Sequence, residues 1–206
     1  AIIVASSLIA KLETENKTLS QYLLEVFDSN KINSRFDTRE DISYYNESEP
    51  DIEKLKQANA EGEKQRTKND LFFLSLAIAI NEDKATLDQV IEVLNDAFPG
   101  LEFSDLKAVK FVGDGTYLEF ADKYIEIRPS GTDAKTKAYG GGTSLEDISN
   151  YSKILGNYSG ERTDLHKQLI SNSFYENSKE LALESYLEFV EKDANNEMFV
   201  IPEYNF

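Results

Sequence analysis

The sequence has no cysteine, a single histidine and no apolar run that approaches the length of a membrane span. Without cysteine, the chain can form neither a disulfide nor a thiol nucleophile. A membrane-spanning helix needs roughly 20 consecutive apolar residues, so we expect no transmembrane segment and a cytoplasmic protein. His166 lies beside Lys167 in a polar stretch. Because a catalytic histidine needs a placed partner, we interpret His166 as a surface residue.

Basic residues are also scarce. The chain has 22 of them against 38 acidic residues, which gives a formal charge of −16. A negative field of this size disfavours nucleic acid and anionic membrane surfaces as partners. Any anionic ligand must therefore be held by a local concentration of donors. The simplest interpretation of the acidity itself is that it keeps the protein soluble.

The first ten residues lack a methionine and already follow an apolar helical pattern. They show neither the basic segment nor the small-residue cleavage site of a secretory signal. We therefore expect that residues upstream of Ala1 have been cut away, together with any active site that they carried.

Apolar periodicity and capping residues predict a chain rich in helices, with strands in its middle. Residues 70–80 are apolar enough for either a helix or a buried strand, and Ile42–Tyr45 for a short strand. The predicted helices are residues 2–13, a segment capped by Thr18 or Ser20, 51–70, 85–98, 144–155, about 163–173 and about 177–192. The predicted strands are residues 107–112, 117–120, 123–128 and 136–139. Four short strands with tight turns, such as Gly113-Asp114-Gly115, indicate an antiparallel or mixed sheet.

The strongest local departure from the acidic background lies between residues 123 and 139, which contain four cations and a glycine-bearing loop. Hydroxyls and a glycine-freed backbone can direct several donors into one concavity, and Pro129 stiffens its entry. An arginine can meet two phosphate oxygens at once, and a lysine adds a point charge. Composition alone still favours a plain hairpin turn with Arg128 in a surface ion pair. The candidate phosphate ligands are Arg128, Ser130, Gly131, Thr132 and Lys135.

The order of residues in this loop carries more information than its charge. The run Arg128-Pro129-Ser130-Gly131-Thr132-Asp133-Ala134-Lys135-Thr136-Lys137-Ala138-Tyr139 resembles the signature of the C-terminal domain of the α-D-phosphohexomutases, the family of the phosphoglucomutases and phosphomannomutases. Asp133 stands where the family has Glu, Ala134 where it has Pro, and Lys137 where Arg is common. The resemblance is specific over about residues 104–150 and extends more weakly to residues 1–30.

The resemblance implies an α+β fold, with a four-stranded, mainly antiparallel sheet packed by helices on one face. It also implies a division of the chain into three parts. Residues 1–27 would be a helical segment from the end of the preceding domain, and residues 28–156 the phosphate-binding domain, with a helical insertion at about 50–100. Residues 157–206 would be a helical C-terminal extension.

The resemblance implies a parent enzyme that interconverts sugar 1-phosphates and 6-phosphates through a phosphoserine, an intramolecular phosphotransferase. The loop residues Arg128, Ser130, Gly131, Thr132 and Lys135 would grip the phosphate that is not transferred. Mg²⁺, a sugar bisphosphate activator and the missing N-terminal domains are implied for the parent enzyme. No catalytic residue, metal ligand or cofactor site is expected in this chain, which should be inactive alone. Two alternatives stay open: a non-catalytic sugar-phosphate-binding module, and a helical protein-interaction domain.

Overall fold

The computed structural model describes the backbone of residues 2–112 and 114–196 and the side chains of residues 3–112 and 114–187. It is an α+β structure with a five-stranded antiparallel sheet and several helices. The elements in chain order are α1 (Ile2–Thr14), α2 (Leu19–Ser29), β1 (Phe36–Ser43), α3 (Ile52–Asn81), α4 (Leu87–Ala97), β2 (Leu106–Val112), β3 (Gly115–Phe120), β4 (Lys123–Pro129), β5 (Lys135–Gly142), α5 (Leu145–Gly156), α6 (Asp164–Leu169), α7 (Asn172–Glu176) and α8 (Ser178–Asn196). Ala1, Gly113 and residues 197–206, which belong to the predicted segments 1–27, 113–115 and 157–206, lie outside the described residues.

The prediction of an α+β fold with an antiparallel sheet is confirmed, but the predicted number of strands is wrong. The strand order is β1-β5-β4-β3-β2, and β1 is the fifth strand, paired along its whole length with β5. The pattern at Ile42–Tyr45 predicted only the last part of β1. Its first six residues, Phe36–Asp41, are largely polar and exposed. Because an edge strand that faces solvent lacks an apolar alternation, periodicity could not reveal it.

One face of the sheet is buried and the other faces outward. Side chains alternate along each strand, and the buried set includes Leu118, Ile125, Ile127 and Ala138. Helices α3 and α5 supply most of the contacts to the sheet. The outward face carries aromatic and charged side chains, including Tyr117 and Tyr124, whose rings stack 5.1 Å apart.

Helix α3 is one continuous helix of 30 residues. It begins at the N-cap Asp51, whose carboxylate accepts from the backbone N–H groups of Glu53 and Lys54. It therefore joins the predicted helix 51–70 to the segment 70–80, which is helix and not strand. The run from Phe72 to Ala79 is buried, and α3 contacts the sheet, α7 and α8. A helix that is apolar all round is buried all round, and this run forms the centre of the core.

His166 corrects the expectation of a surface residue, because it is fully buried. Its ring stacks on Phe72 with centroids 4.7 Å apart. Nδ1 accepts from Arg162 Nε at 2.8 Å, and Nε2 lies 3.1 Å from the Ser75 hydroxyl, which itself donates to the Phe72 carbonyl. Burial, followed by the charge of Arg162, lowers the pKa of His166 to about 3. The histidine is a neutral core residue that fastens α6 to α3.

The first two helices stand apart from this core. Thr18, the first of the two predicted caps, begins α2 in a capping box with Gln21. Among the described side chains of α1 and α2 only Leu12 is buried, and α1 makes its contacts with α2. Ile3 and Val4 are among the most exposed apolar side chains, at 81% and 72%. The hairpin of α1 and α2 therefore presents apolar surface outward.

Within the described residues, no helix combines the length and the apolar character needed to cross a membrane.

Candidate phosphate-binding loop

The predicted ligands surround one tight loop, Ser130–Ala134, which joins β4 to β5 and is called the hairpin loop below. Its neck is closed by the Ser130 N–H, which donates to the Lys135 carbonyl at 2.8 Å. Ser130 is buried, whereas Gly131 and Thr132 are exposed at the tip. A side chain at Gly131 would meet no atom within 4 Å. The backbone N–H groups of Gly131 and Thr132 have no hydrogen-bond partner among the described residues. The tip is thus open and offers free amide donors.

The hydroxyls of the loop are already engaged by a carboxylate of the loop itself. Ser130 Oγ donates to Asp133 Oδ1 at 2.6 Å, and Thr132 Oγ1 lies 3.3 Å from the same oxygen. Hydrogen bonds from Ser130 and Lys135 lower the pKa of Asp133. Asp133 therefore already binds the Ser130 and Thr132 hydroxyls, which the sequence predicted to bind a phosphate. A bound phosphate has to share or displace them.

Lys135 is likewise balanced by acids. Its Nζ lies 2.9 Å from Glu47 Oε2 and 2.9 Å from Asp133 Oδ2, and its side chain is largely buried. Hydrogen bonds to Glu47 and then Asp133 raise its pKa well above the ordinary value. The ammonium is permanently charged and held beside the loop. Glu47 was not singled out from the sequence, because it lies 88 residues away from Lys135 in the chain.

Arg128 stands on the outward face of the sheet. It alternates along β4 with the buried Ile125 and Ile127, and it faces Gly115 of β3, where any side chain would collide with the Arg128 Cβ. Its Nη2 lies 3.1 Å from Asp114 Oδ1, and both side chains are about half exposed. This is the surface ion pair that composition alone favoured. Since an exposed pair of this kind contributes little energy, a phosphate can replace Asp114 at small cost.

Of the two remaining cations of the 123–139 segment, Lys137 lies opposite Arg128 on β5, and Lys123 lies away from the loop. Lys123 lies at the other end of β4, 3.0 Å from Asp147, and its ammonium sits over the rings of Phe120 and Tyr151. The positive charge near the loop is therefore lower than the sequence suggested, because Lys123 lies at the other end of β4. Arg128 and Lys135 are the cations of this segment that flank the loop.

Helix α3 supplies contacts to the loop that the sequence did not suggest. Arg66 donates from Nη1 to the Ser130 carbonyl, and Asn59 Oδ1 accepts from the Ala134 N–H at 3.1 Å. A Cβ at Gly62 would lie 3.0 Å from the Ala134 Cβ, so the absent side chain lets helix and loop touch. A glycine inside a helical pattern was the one signal of this close approach.

An ion pair between a buried carboxylate and a half-exposed lysine links α3 to α8 near the same region. Asp70 is only 6% exposed and lies 3.0 Å from Lys179 Nζ of α8. Burial raises the pKa of Asp70, and the attraction of Lys179 opposes that rise. The residues after the predicted boundary at 156 are thus packed onto α3 through at least this pair.

Comparisons of the chain with protein-family models, with curated proteins and with solved structures found no match. In the part of the chain that the structure describes, no group of three or more histidine or acidic side chains is placed to hold a metal ion. The Mg²⁺ implied by the resemblance therefore has no fitting ligand set among these residues, and no chemical step here passes through it.

Proposed function

We propose that this chain is the C-terminal substrate-phosphate-binding domain of a phosphoglucomutase- or phosphomannomutase-type enzyme. One observation carries the proposal: the residues of the Arg-Pro-Ser-Gly-Thr order form a hairpin whose open tip has free amides, flanked by Arg128 and Lys135. Free amides at a turn and a planar guanidinium are groups that recognise a phosphomonoester.

The role of the loop would be to hold the phosphate that is not transferred. In an interconversion of 1- and 6-phosphates, the substrate binds in two orientations. One fixed clamp can serve both of them, because it reads only the phosphate. Arg128 meets two phosphate oxygens, the amides of Gly131 and Thr132 meet others, and Lys135 with Ser130 fixes the charge and shape of the loop. The phosphoserine, the Mg²⁺, the bisphosphate activator and the transfer itself belong to other domains, and this chain alone is inactive.

The same proposal explains the exposed apolar surface of the α1 and α2 hairpin as a contact surface for other domains. Its apolar side chains would pack against the preceding domains of the parent enzyme. An isolated surface of this kind is otherwise costly, since buried apolar area contributes about 25 cal/mol per Å². We also propose a cytoplasmic location, as expected for an enzyme of sugar phosphates.

A ¹H–¹⁵N titration of the 206-residue chain with glucose 1-phosphate tests the proposal. We expect the amides of Arg128–Lys135 to shift at millimolar ligand, since one isolated clamp leaves the ligand mostly hydrated. Arg128→Gln should weaken the response roughly tenfold through the loss of a charge-assisted contact. Lys110→Gln removes an equally exposed cation that pairs with Glu119 on the same sheet, and it should leave the response unchanged. Loop amides that stay still in the wild-type chain would contradict the proposal.

A specific observation favours a second candidate, a protein-interaction domain. Both cations that flank the loop are already paired with carboxylates, and α8, like α1, exposes large apolar side chains: Leu183, Tyr186 and Leu187. This candidate predicts no response of the loop to glucose 1-phosphate at any concentration, so the same titration separates the two.

A further inference from the structure

One face of α3 runs along the hairpin loop. Asn59, Gly62 and Arg66 recur at intervals of three and four residues, which places them on the same side of a helix. Each of the three meets the loop: Asn59 through the Ala134 N–H, Gly62 through the Ala134 Cβ, and Arg66 through the Ser130 carbonyl. The loop therefore rests on a continuous helical surface and not only on its two strands.

Arg66 is held tightly in this surface. Its side chain is only 16% exposed, Nη1 donates to the Ser130 carbonyl, and Nη2 lies 2.6 Å from Glu63 Oε2. Glu63 is one turn earlier on α3, so both ends of the ion pair belong to the same helix. Its Nε is buried and has no partner among the described residues, so Arg66 meets the loop through the Ser130 carbonyl that Nη1 holds.

That backbone contact fixes the direction of a free donor. The peptide between Ser130 and Gly131 is trans, and in a trans peptide the C=O and the N–H point in opposite directions. Because the Ser130 carbonyl points to Arg66 on α3, the Gly131 N–H points away from α3. No atom lies within 4 Å of a Gly131 side-chain position. Arg128 belongs to the sheet face opposite to the one that α3 covers.

We propose that Arg66 is a positioning residue of the phosphate site: it holds the Ser130 carbonyl against α3 and thereby presents the Gly131 amide to a phosphate on the side of Arg128. This inference rests on the proposed function and deepens it. It also assigns a role to α3, the long helix of the 50–100 segment: α3 supports the hairpin loop on the side opposite to Arg128.

The test compares Arg66→Met with Lys64→Met in the full 206-residue chain. Methionine keeps the apolar stem of arginine and removes every donor. Lys64 is 71% exposed on the same helix and pairs with Glu61, so its variant removes the same charge without touching the loop. For each variant, the Gly131 amide shift is recorded without ligand, and the dissociation constant for glucose 1-phosphate is measured by titration. Resonances of β3, away from Arg66, report whether the fold is kept.

We expect Arg66→Met to move the free Gly131 amide resonance and to weaken binding of glucose 1-phosphate about five- to tenfold, as for loss of one hydrogen bond from a charged group. Lys64→Met should change the affinity less than twofold. Should Arg66→Met fail to fold, Arg66→Lys carries the test. It keeps the charge but cannot hold Ser130 and Glu63 in one planar fork, so it should still weaken binding.

The outcomes separate the two proposals. Wild-type binding with equal affinity in the Arg66 variants and an unmoved Gly131 amide overturns the positioning role and leaves the proposed function standing. A wild-type chain whose loop does not respond overturns both. Equal weakening by Arg66→Met and Lys64→Met also overturns the positioning role, because general charge would then explain the effect.

Discussion

The two halves of α3 belong to one continuous helix but differ in polarity and burial. The first half, residues 52–68, is polar, and of its residues only Gly62 is buried. It contacts the hairpin loop through Asn59, Gly62 and Arg66. The second half, residues 69–81, carries eight consecutive buried residues from Phe72 to Ala79. The first half contacts the hairpin loop, and the second half forms part of the core.

The difference explains how an exposed stretch of helix can shape a site accurately. An isolated polar helix has little stability in water, because most helical stability in proteins comes from tertiary packing. Here the first half continues without a break into the second half, which is packed in the core. The core therefore fixes the direction of the helix axis for the first half as well. The side chains of Asn59 and Arg66 then reach the loop from a rigid support, which is the requirement for precise placement of a binding group.

The largest contrast between the halves should appear in stability. Phe72 is fully buried among Phe73, Phe98, Tyr158 and His166. Phe72→Ala should lower the free energy of unfolding by about 3–5 kcal/mol, because it leaves a cavity in the core. Ile52→Ala, at a position that is 66% exposed in the first half, should change it by less than about 0.5 kcal/mol. Urea unfolding followed by circular dichroism at pH 7 measures both. Similar losses for the two variants would refute the division.

The sequence predicted the parts of this arrangement that depend on local order. The hairpin strands, the turn between them and the helical pattern of α4 and α5 follow from periodicity and turn residues, and the structure confirms them. The same information could not reveal residues 36–41 of β1, which lack apolar alternation, or the contacts of Arg66 and Asn59. Those contacts join residues 64 and 75 positions apart, and nothing local to either partner encodes them.

The error at His166 has the same origin. Its sequence neighbours Lys167 and Gln168 are polar and exposed, and they suggested a surface position. In the short helix α6, however, those neighbours point elsewhere, and Arg162, which precedes the N-cap Thr163, donates to the His166 ring. The partner of the histidine was four residues away, just outside the helix.

The next largest effect is expected in the pH dependence of stability. It arises at His166, which packs on Phe72 and Ser75 in the second half of α3. In the unfolded chain His166 takes up a proton below its ordinary pKa of 6.5, whereas in the folded protein its pKa is about 3. The unfolded state therefore binds more protons between these values, and stability falls as the pH is lowered from 6.5 towards 3. The slope approaches about 1.4 kcal/mol per pH unit for one proton.

His166→Gln removes this titration while an amide can still accept from Arg162 and donate to Ser75. The advantage of the wild type over His166→Gln should therefore shrink by about 1.6 kcal/mol between pH 6.5 and pH 5. Urea unfolding at half-unit steps of pH measures it. Carboxylates such as Asp133 titrate in both proteins and cancel in the difference. A difference that is constant with pH would show that His166 is not held neutral.

The smallest effect on stability, and the most specific test of the first half, is expected from Gly62→Ala. The new methyl group would lie 3.0 Å from the Ala134 Cβ and 3.1 Å from the Tyr44 carbonyl oxygen. The helix gains about 1 kcal/mol from replacing glycine by alanine, and the close contact offsets much of it, so the net change should stay below about 1 kcal/mol.

The loop has to move by a few tenths of an ångström to admit the methyl group of Gly62→Ala, and its amides should report that movement. We expect shifted resonances at Gly131 and Ala134 and affinity for glucose 1-phosphate about two- to threefold lower. The control Ala60→Gly lies on the exposed side of the same turn. It should cost about 1 kcal/mol of stability and leave the loop resonances in place. Of the Gly62 and Ala60 variants, the one that lowers the free energy of unfolding more should therefore shift the loop resonances less. If Ala60→Gly moved the loop as far as Gly62→Ala, the loop would be sensing the stability of the helix and not its surface.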